Sequence, residues 1–490
     1  MHITCLPGKF GIGDLGQSAC EFIDFLSETG TKYWQILPLN PTGYGDSPYQ
    51  GLSAFADNPL LINPDSLAEL HLLKTEDLSN LPILPKGKVN FNKVIRFKDK
   101  LFEKAFTTFY SDKKSHLKKY FEIFKESNQI WLEDYCLFMA IRENYHLVSW
   151  KDWPDPLKFR EPQAILFFGE QHTGEVEFHA FLQFIFHLQW RNLKEYSHNR
   201  GVHFIGDLPI FLGYDCADVW AHPDLFKLNN NLEPQVVAGV PPDYFSLSGQ
   251  LWGNPLYDWE KHRFNNYAWW IMRIRETLNY VDVIRLDHFR GFAGFYQIPS
   301  GAKNAGEGEW VTGPGSEFFD TIKSELGDLP FIAEDLGVIT PDVIDLRHRF
   351  ELPGMKILQF AFGGNAANDY LPHNYPANCV AYTGTHDNPS SLGWYGGIAS
   401  ENEKRFCRQY LGKTVENIPH AMIRAIWSSV AKLAIAPVQD ILALGTNSRM
   451  NTPATSQGNW QWRMKPGGLN DEIKTWLSEI NRIYDRSINP

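Results

Sequence analysis

Short apolar runs rich in β-branched and aromatic residues alternate along this chain with helix-like segments, and several of the runs end in an acid. They begin at Tyr33 (YWQILPL), Pro59 (PLLIN), His203 (HFIGDLP), Val281 (VDVIRLDHF), Pro330 (PFIAED), Met355 (MKILQFAF), Cys379 (CVAYTGTHD) and Gln439 (QDILALG). Runs of this length between helical segments predict a parallel sheet, because parallel neighbours need a long return connection that a helix supplies. Eight candidates suit a (β/α)8 TIM barrel, although a doubly wound open sheet would alternate in a similar way.

The chain has 490 residues, 43% hydrophobic and 21% charged, which is ample for one large core. A single catalytic barrel spanning 1–490, with insertions, fits that length. The stretch 65–190 is too long for one crossover. Within it, Phe97, Leu101, Phe102, Ala105 and Phe106 recur at helical spacing with lysines between them, so an inserted, largely helical subdomain is expected there. A second stretch, 229–255, is rich in Pro, Gly and Asn yet contains VAGVPPDYFSLSGQLWGNP. Its apolar and aromatic residues suggest a lid loop over a site on the C-terminal face.

The acids carry the functional information. Asp207 follows HFIG, Asp287 follows VDVIRL, Glu334 and Asp335 follow PFIA, and Asp387 closes AYTGTHD. One such acid is ordinarily a helix cap or a turn residue. Repeated at strand ends beside Arg285, His288, Arg290 and His386, they would converge on the rim where barrel enzymes place their chemistry. Two carboxyl groups flanking one bond are the apparatus of glycosidic cleavage, about 5 Å apart when the configuration is retained. A metal-dependent hydrolase is the competing chemistry, with Asp287-His288 and His386-Asp387 as ligands. The chain has no HExxH, no HxH and no Cys-His pair at zinc spacing to support it.

Bulk properties narrow the partners. A net charge of −11, from 46 basic and 57 acidic residues, repels nucleic acid and anionic membrane surfaces and suits a neutral substrate. No apolar run approaches a membrane span and no signal-peptide pattern opens the chain, so a soluble, cytoplasmic protein is expected. The six cysteines form no CxxC pair and read as reduced packing residues. Aromatic residues make up 14% of the chain, and rings with polar tips suit sugar faces, although most such rings serve cores.

Beyond these patterns, the blocks LPGKFGIGDLG, YWQILPLNPTGYGDSPYQ, GDLPIFLG, GVPPDYFSLSGQLWGNP, IRLDHFRG, IAEDLG, YTGTHDN and NWQWR occur in that order over nearly the whole chain. With them the chain resembles the 4-α-glucanotransferases, or amylomaltases, of glycoside hydrolase family 77, in the compact form without an additional N-terminal glucan-binding module. The resemblance implies a retaining transferase that moves α-1,4-glucan segments onto the 4-hydroxyl of an acceptor glucose or maltooligosaccharide. It implies Asp287 as nucleophile, Glu334 as acid/base and Asp387 as a third carboxylate gripping ring hydroxyls. Asp207, His288 and His386 would hydrogen-bond the sugar, and Tyr49 and Trp252 would offer rings to it with Gln250 beside them. Arg285, two residues before Asp287 on a strand, would share its face and hold it ionised, while burial and the neighbouring charge would raise the Glu334 pKa. Asp335 would point elsewhere. No cofactor, no metal and no obligate protein partner are expected.

Three positions depart from the family's commoner pattern: Cys5, Asp57 and Ala454, the last where Gly is usual, which would stiffen a loop over the acceptor region. The carboxylates alone do not separate a transferase from a retaining α-glucan hydrolase. Their presence disfavours a non-catalytic glucan-binding protein.

Overall fold

The computed structural model describes residues 1–242 and 248–488. Residues 243–247, within the expected lid, lie outside the described residues. Eleven strands form among those described: β1 (Tyr33–Gln35), β2 (His203–Leu208), β3 (Val236–Val240), β4 (Gln250–Pro255), β5 (Val283–Leu286), β6 (Gly294–Pro299), β7 (Glu309–Thr312), β8 (Phe331–Ala333), β9 (Gly354–Ile357), β10 (Cys379–Tyr382) and β11 (Leu433–Ile435). Seven of them, in the order β1-β2-β5-β8-β9-β10-β11, make one sheet whose neighbours are all parallel. Helices Ala268–Tyr280, Gly315–Leu326, Pro341–Arg349 and Ile418–Trp427 provide returns between successive strands of this sheet. Tyr382 on β10 donates to the side-chain oxygen of Gln35 on β1 at 3.0 Å, and the Met1 ammonium donates to the Gln35 carbonyl at 3.1 Å. The sheet therefore curls round on itself, as in a (β/α)8 barrel, and no helix among the described residues is long and apolar enough to cross a membrane.

Strand alternation separates the two faces. Ile205, Ile332, Met355, Ile357, Val380 and Tyr382 pack together inside the curl. Phe204, Ile284, Leu286 and Phe331 face outward into the larger core shared with the helices, where Phe204 meets Trp34 and Trp190 at ring distances of 5.4 and 4.9 Å. Asp207 falls in step with Ile205, and Arg285 with Val283, so the same period that buries the apolar residues aims these charges inward.

Two of the eight expected strands do not form. Pro59–Leu61 is a 3-10 turn, started by proline and capped by Asn58, whose side chain accepts from the Leu60 N–H at 3.0 Å. The carbonyls of Leu60 and Ile62 are taken by the buried Lys98 ammonium at 2.7 Å each, so no ladder is needed to satisfy them. At the other end, Val438–Ile441 is a helical turn following Pro437, and the strand lies earlier, at β11. An apolar run gives burial without giving its period, and both runs are buried turns.

Between β1 and β2 the chain passes through loops and short turns to residue 90 and is then largely helical, in Phe91–Ser111, Leu117–Ser127, Gln129–Asn144, Pro162–Gln171 and Thr173–His198. Asn90 caps the first of these by accepting from the Lys93 N–H at 3.1 Å, and its Leu101, Phe102, Ala105 and Phe109 are buried in the same apolar cluster as Phe204. The stretch 229–255 contains β3 and β4, an antiparallel pair, where an irregular loop was expected. They belong to a four-stranded sheet, β4-β3-β6-β7, inserted after the C-terminal ends of β2 and β5.

Candidate active site

Register places the acids. On neighbouring strands Asp207 pairs with Arg285, and Leu286 with Ala333. Asp287 and Glu334 are each the next residue, so they leave adjacent strand ends side by side. Their backbones are tied there: the Asp287 N–H donates to the Leu208 carbonyl and the Glu334 N–H to the Leu286 carbonyl, both at 3.1 Å.

Arg285 sits beneath the carboxylates with 4% of its side chain exposed. It donates to Asp207 Oδ2 at 2.8 and 3.0 Å and to Asp287 Oδ1 at 2.9 Å. Burial opposes its charge, but Asp207, Tyr49, Asp287 and Glu334 together push its pKa up. Asp207 Oδ2 also accepts from the Tyr49 hydroxyl at 2.7 Å. The Asp207 side chain is wholly buried, whereas Asp287 keeps 28% of its surface open to the cleft.

Glu334 is held by two backbone N–H groups, from His288 at 2.6 Å and Leu336 at 3.2 Å. His288 adopts a left-handed conformation, φ 51°, as the chain turns after Asp287. Side chains pay steric strain in that region, and such residues collect at functional sites. Burial, and after it the Asp287 charge, pushes the Glu334 carboxyl up to about 8. Asp287 departs from expectation. Burial raises it to about 7; Arg285 opposes the rise, and Asp207 and Asp387 add to it. Arg285 acts in the expected direction without winning. Water reaching the exposed part of Asp287 works with Arg285.

Asp387 completes the rim. Its Oδ1 accepts from Asn451 Nδ2 at 2.6 Å and its carbonyl from Arg449 at 2.6 Å. His386 lies 3.4 Å from Asp387 Oδ2 and 3.4 Å from the Tyr49 hydroxyl, with its ring stacked on Tyr49 at 4.9 Å and 18°. Trp460 closes this cluster, 5.8 Å from Tyr49 and 5.7 Å from His386. Burial lowers both site histidines, His288 to about 4 with help from Arg290, while Asp387 pulls against the fall at His386. Both imidazoles are therefore neutral at pH 7 and offer one donor and one acceptor each.

Trp252 reaches the site from β4. Its ring meets His288 edge-on at 4.9 Å and 83°, and its indole N–H donates to Gln250 Oε1 at 3.1 Å. All ten sequence-derived residues thus fall in one connected set. Asp335 turns away as expected: it accepts from the Met355 N–H at 2.7 Å and pairs with Arg347 at 3.2 Å. Arg290 also leaves the cleft and lies over the Trp310 ring at 3.8 Å. Asn451, Arg449 and Trp460 were missed. The block containing Trp460 was visible in the sequence, but nothing in it says that a segment over sixty positions later returns to Asp387. Below the network the barrel interior opens into a cavity of about 90 Å³ bordered by Gln35, Arg285, Met355, Tyr382 and His386.

Comparison with known proteins agrees with this geometry. The model of glycoside hydrolase family 77, described as 4-alpha-glucanotransferase, matches residues 1–470. The chain is 46% identical over 492 residues to the 4-alpha-glucanotransferase of Synechocystis sp., covering 100% of this chain and 97% of that one. To the Thermus thermophilus 4-alpha-glucanotransferase it is 47% identical over 494 residues, covering 99% and 98%. The structure of an amylomaltase from Streptococcus agalactiae in complex with acarbose superposes with a TM-score of 0.96 at 38% identity, covering 100% and 99%. The fold class is accordingly α/β, the (β/α)8 TIM barrel.

Proposed function

The chain belongs to the 4-alpha-glucanotransferases of glycoside hydrolase family 77 and carries that transferase activity; from this premise we propose how its own residues perform the transfer. Asp287 attacks the anomeric carbon of an α-1,4-linked glucan as Glu334 gives its proton to the leaving glycosidic oxygen. The C–O bond breaks and a covalent glucosyl-Asp287 remains. In the second half Glu334, now a carboxylate, takes the proton from an acceptor 4-hydroxyl. That oxygen displaces Asp287, and the configuration is retained overall.

The observation that carries the assignment is the unequal treatment of two adjacent carboxyls. Arg285 donates to Asp287 at 2.9 Å, while burial and the Asp287 charge push Glu334 up to about 8, so that it retains a proton at neutral pH. Asp387, steadied by Asn451, grips ring hydroxyls, and His288 and His386 extend that grip as neutral imidazoles; Asp207, expected to bond the sugar, is instead wholly buried and holds Arg285 and the Tyr49 hydroxyl in place beneath the cleft. Tyr49 and Trp252 present aromatic surface to glucose units, with Gln250 fixing the indole. Residues 229–255 serve as a lid that keeps water from the intermediate, and the helical stretch 65–190 as an inserted subdomain flanking the cleft. The substrates are neutral α-1,4-glucans and maltooligosaccharides, met in the cytoplasm without an obligate protein partner.

Incubation with maltotriose tests the reading. Transfer produces a ladder of longer oligosaccharides plus glucose. Asp287→Asn and Glu334→Gln should each lose activity by several orders of magnitude while folding normally, and near-normal turnover in either would overturn the assignment.

A further inference from the structure

We propose that His198, His203 and Asp282 form a binding site for a zinc-class dication at the floor of the barrel, opposite the carboxylate rim. Their ligand atoms all lie within 4.8 Å of one another, and among the described residues no other group of three histidine, cysteine or acidic side chains converges this way. His198 Nε2 is 3.0 Å from Asp282 Oδ1, and His203 Nδ1 is 3.8 Å from Asp282 Oδ2. The two imidazole rings lie 5.1 Å apart, inclined at 47°. Tetrahedral Zn2+ with bonds of about 2.0–2.2 Å sets its ligand atoms roughly 3.3 Å apart. The two histidine–aspartate spacings bracket that value and the two imidazoles offer ligand atoms within 4.8 Å of each other, so side-chain rotation closes the set.

The scaffold is already built. His198 ends the helix Thr173–His198, and His203 opens β2 after a turn containing Gly201 at φ 71°. Asp282 stands just before β5, with its N–H on the Phe204 carbonyl at 3.0 Å and its Oδ2 accepting from the Phe204 N–H at 2.7 Å. That second contact orients the carboxylate from behind, as outer partners of metal ligands do. The Tyr33 ring packs 6.0 Å from His203. Lys194, one turn back on the helix, is engaged with the Asn279 carbonyl at 2.9 Å. The ligands are partly exposed, by 37%, 45% and 23% of their side chains, which leaves room for water in a fourth position.

Two imidazoles and a single carboxylate favour Zn2+ over Ca2+ or Mg2+, which prefer oxygen ligands. The strands are parallel, so their starts lie at the far end from Asp207, Asp287 and Glu334. An ion there has no part in glycosyl transfer. It would pin the end of the helix that returns from 65–190 to the first residues of two neighbouring strands.

The test is calorimetric titration of the chelator-treated full chain with ZnCl2, with Co2+ absorption as a report on geometry. The expected result is uptake of one Zn2+ per chain, a tetrahedral Co2+ spectrum and a raised Tm, with glucan transfer unchanged. His198→Gln and His203→Gln, being partly exposed, keep the fold; each should weaken binding at least tenfold, and the double variant should abolish the Tm rise. Asp282→Asn, which retains an acceptor for the Phe204 N–H, should weaken it likewise. Absence of one-to-one uptake by the parent means that the three side chains form only an ion-paired cluster, and overturns the proposal. Uptake of equal affinity by the double histidine variant overturns it as well.

Discussion

Arg285 holds two carboxylates at once, and it does so almost without water. Arg285→Gln leaves Asp207 as a buried charge without its partner, so we expect a stability loss of about 3–5 kcal/mol in urea denaturation, together with loss of transfer. The proton demands of the pair give a second expectation. Catalysis needs Asp287 ionised and Glu334 protonated, so kcat/KM should be bell-shaped in pH, with an acidic limb near about 7 and an alkaline limb near about 8. Both limbs belong to the coupled pair. Ala454 is simpler. It is exposed and left-handed, φ 61°, a conformation that glycine adopts without strain. Ala454→Gly should relieve strain and raise thermal stability by about 1 kcal/mol. Asp207, Arg285 and Asp287 were readable in the sequence because they lie on one strand face, two residues apart or paired in register. Asn451 and Trp460 were not, since their approach to Asp387 and His386 depends on how distant loops fold back.

At the level of elements, a lysine does what a strand neighbour would otherwise do. Lys98 is wholly buried, donates to the carbonyls of Leu60 and Ile62, and lies 3.7 Å from the Asp14 carboxylate. Burial lowers its pKa to about 8, against which Asp14 pulls. Lys98→Met removes the ammonium from two carbonyls and a buried acid together; a loss of about 3–5 kcal/mol by urea denaturation is expected, with the fold of the 59–62 turn affected first. This lysine also explains why PLLIN misleads a reader of the sequence. Strands with a helix on each side were legible because their burial is periodic and their lengths are typical. The turns at Pro59 and Val438 are buried like strands, but Lys98 and His420, distant in sequence, bond their carbonyls, and such partners leave no local trace.

For the molecule as a whole, the raised carboxyls set a pH dependence with a definite sign. Asp287 and Glu334 keep protons in the folded chain at pH values where the unfolded chain, with ordinary values of 3.8 and 4.5, has released them. Their stabilising contribution is complete below the ordinary carboxylate range and is lost as pH rises through about 7 and about 8. The slope is at most about 1.4 kcal/mol per pH unit for each proton. Glu334→Gln carries no such charge, so its stability relative to the parent should climb between pH 5 and pH 8 in parallel Tm measurements. A constant difference across that range would contradict the buried, proton-retaining carboxyl. One more consequence lies in the order of synthesis. β1 ends at Gln35 and β2, its one sheet partner among the described residues, begins at His203, with the helical stretch between them. At ribosomal speeds of about 5–20 residues per second, β1 waits on the order of ten to thirty seconds for that partner to be made. The intervening helices can form locally in that interval, while a three-residue strand offers a nascent neighbour little edge to capture.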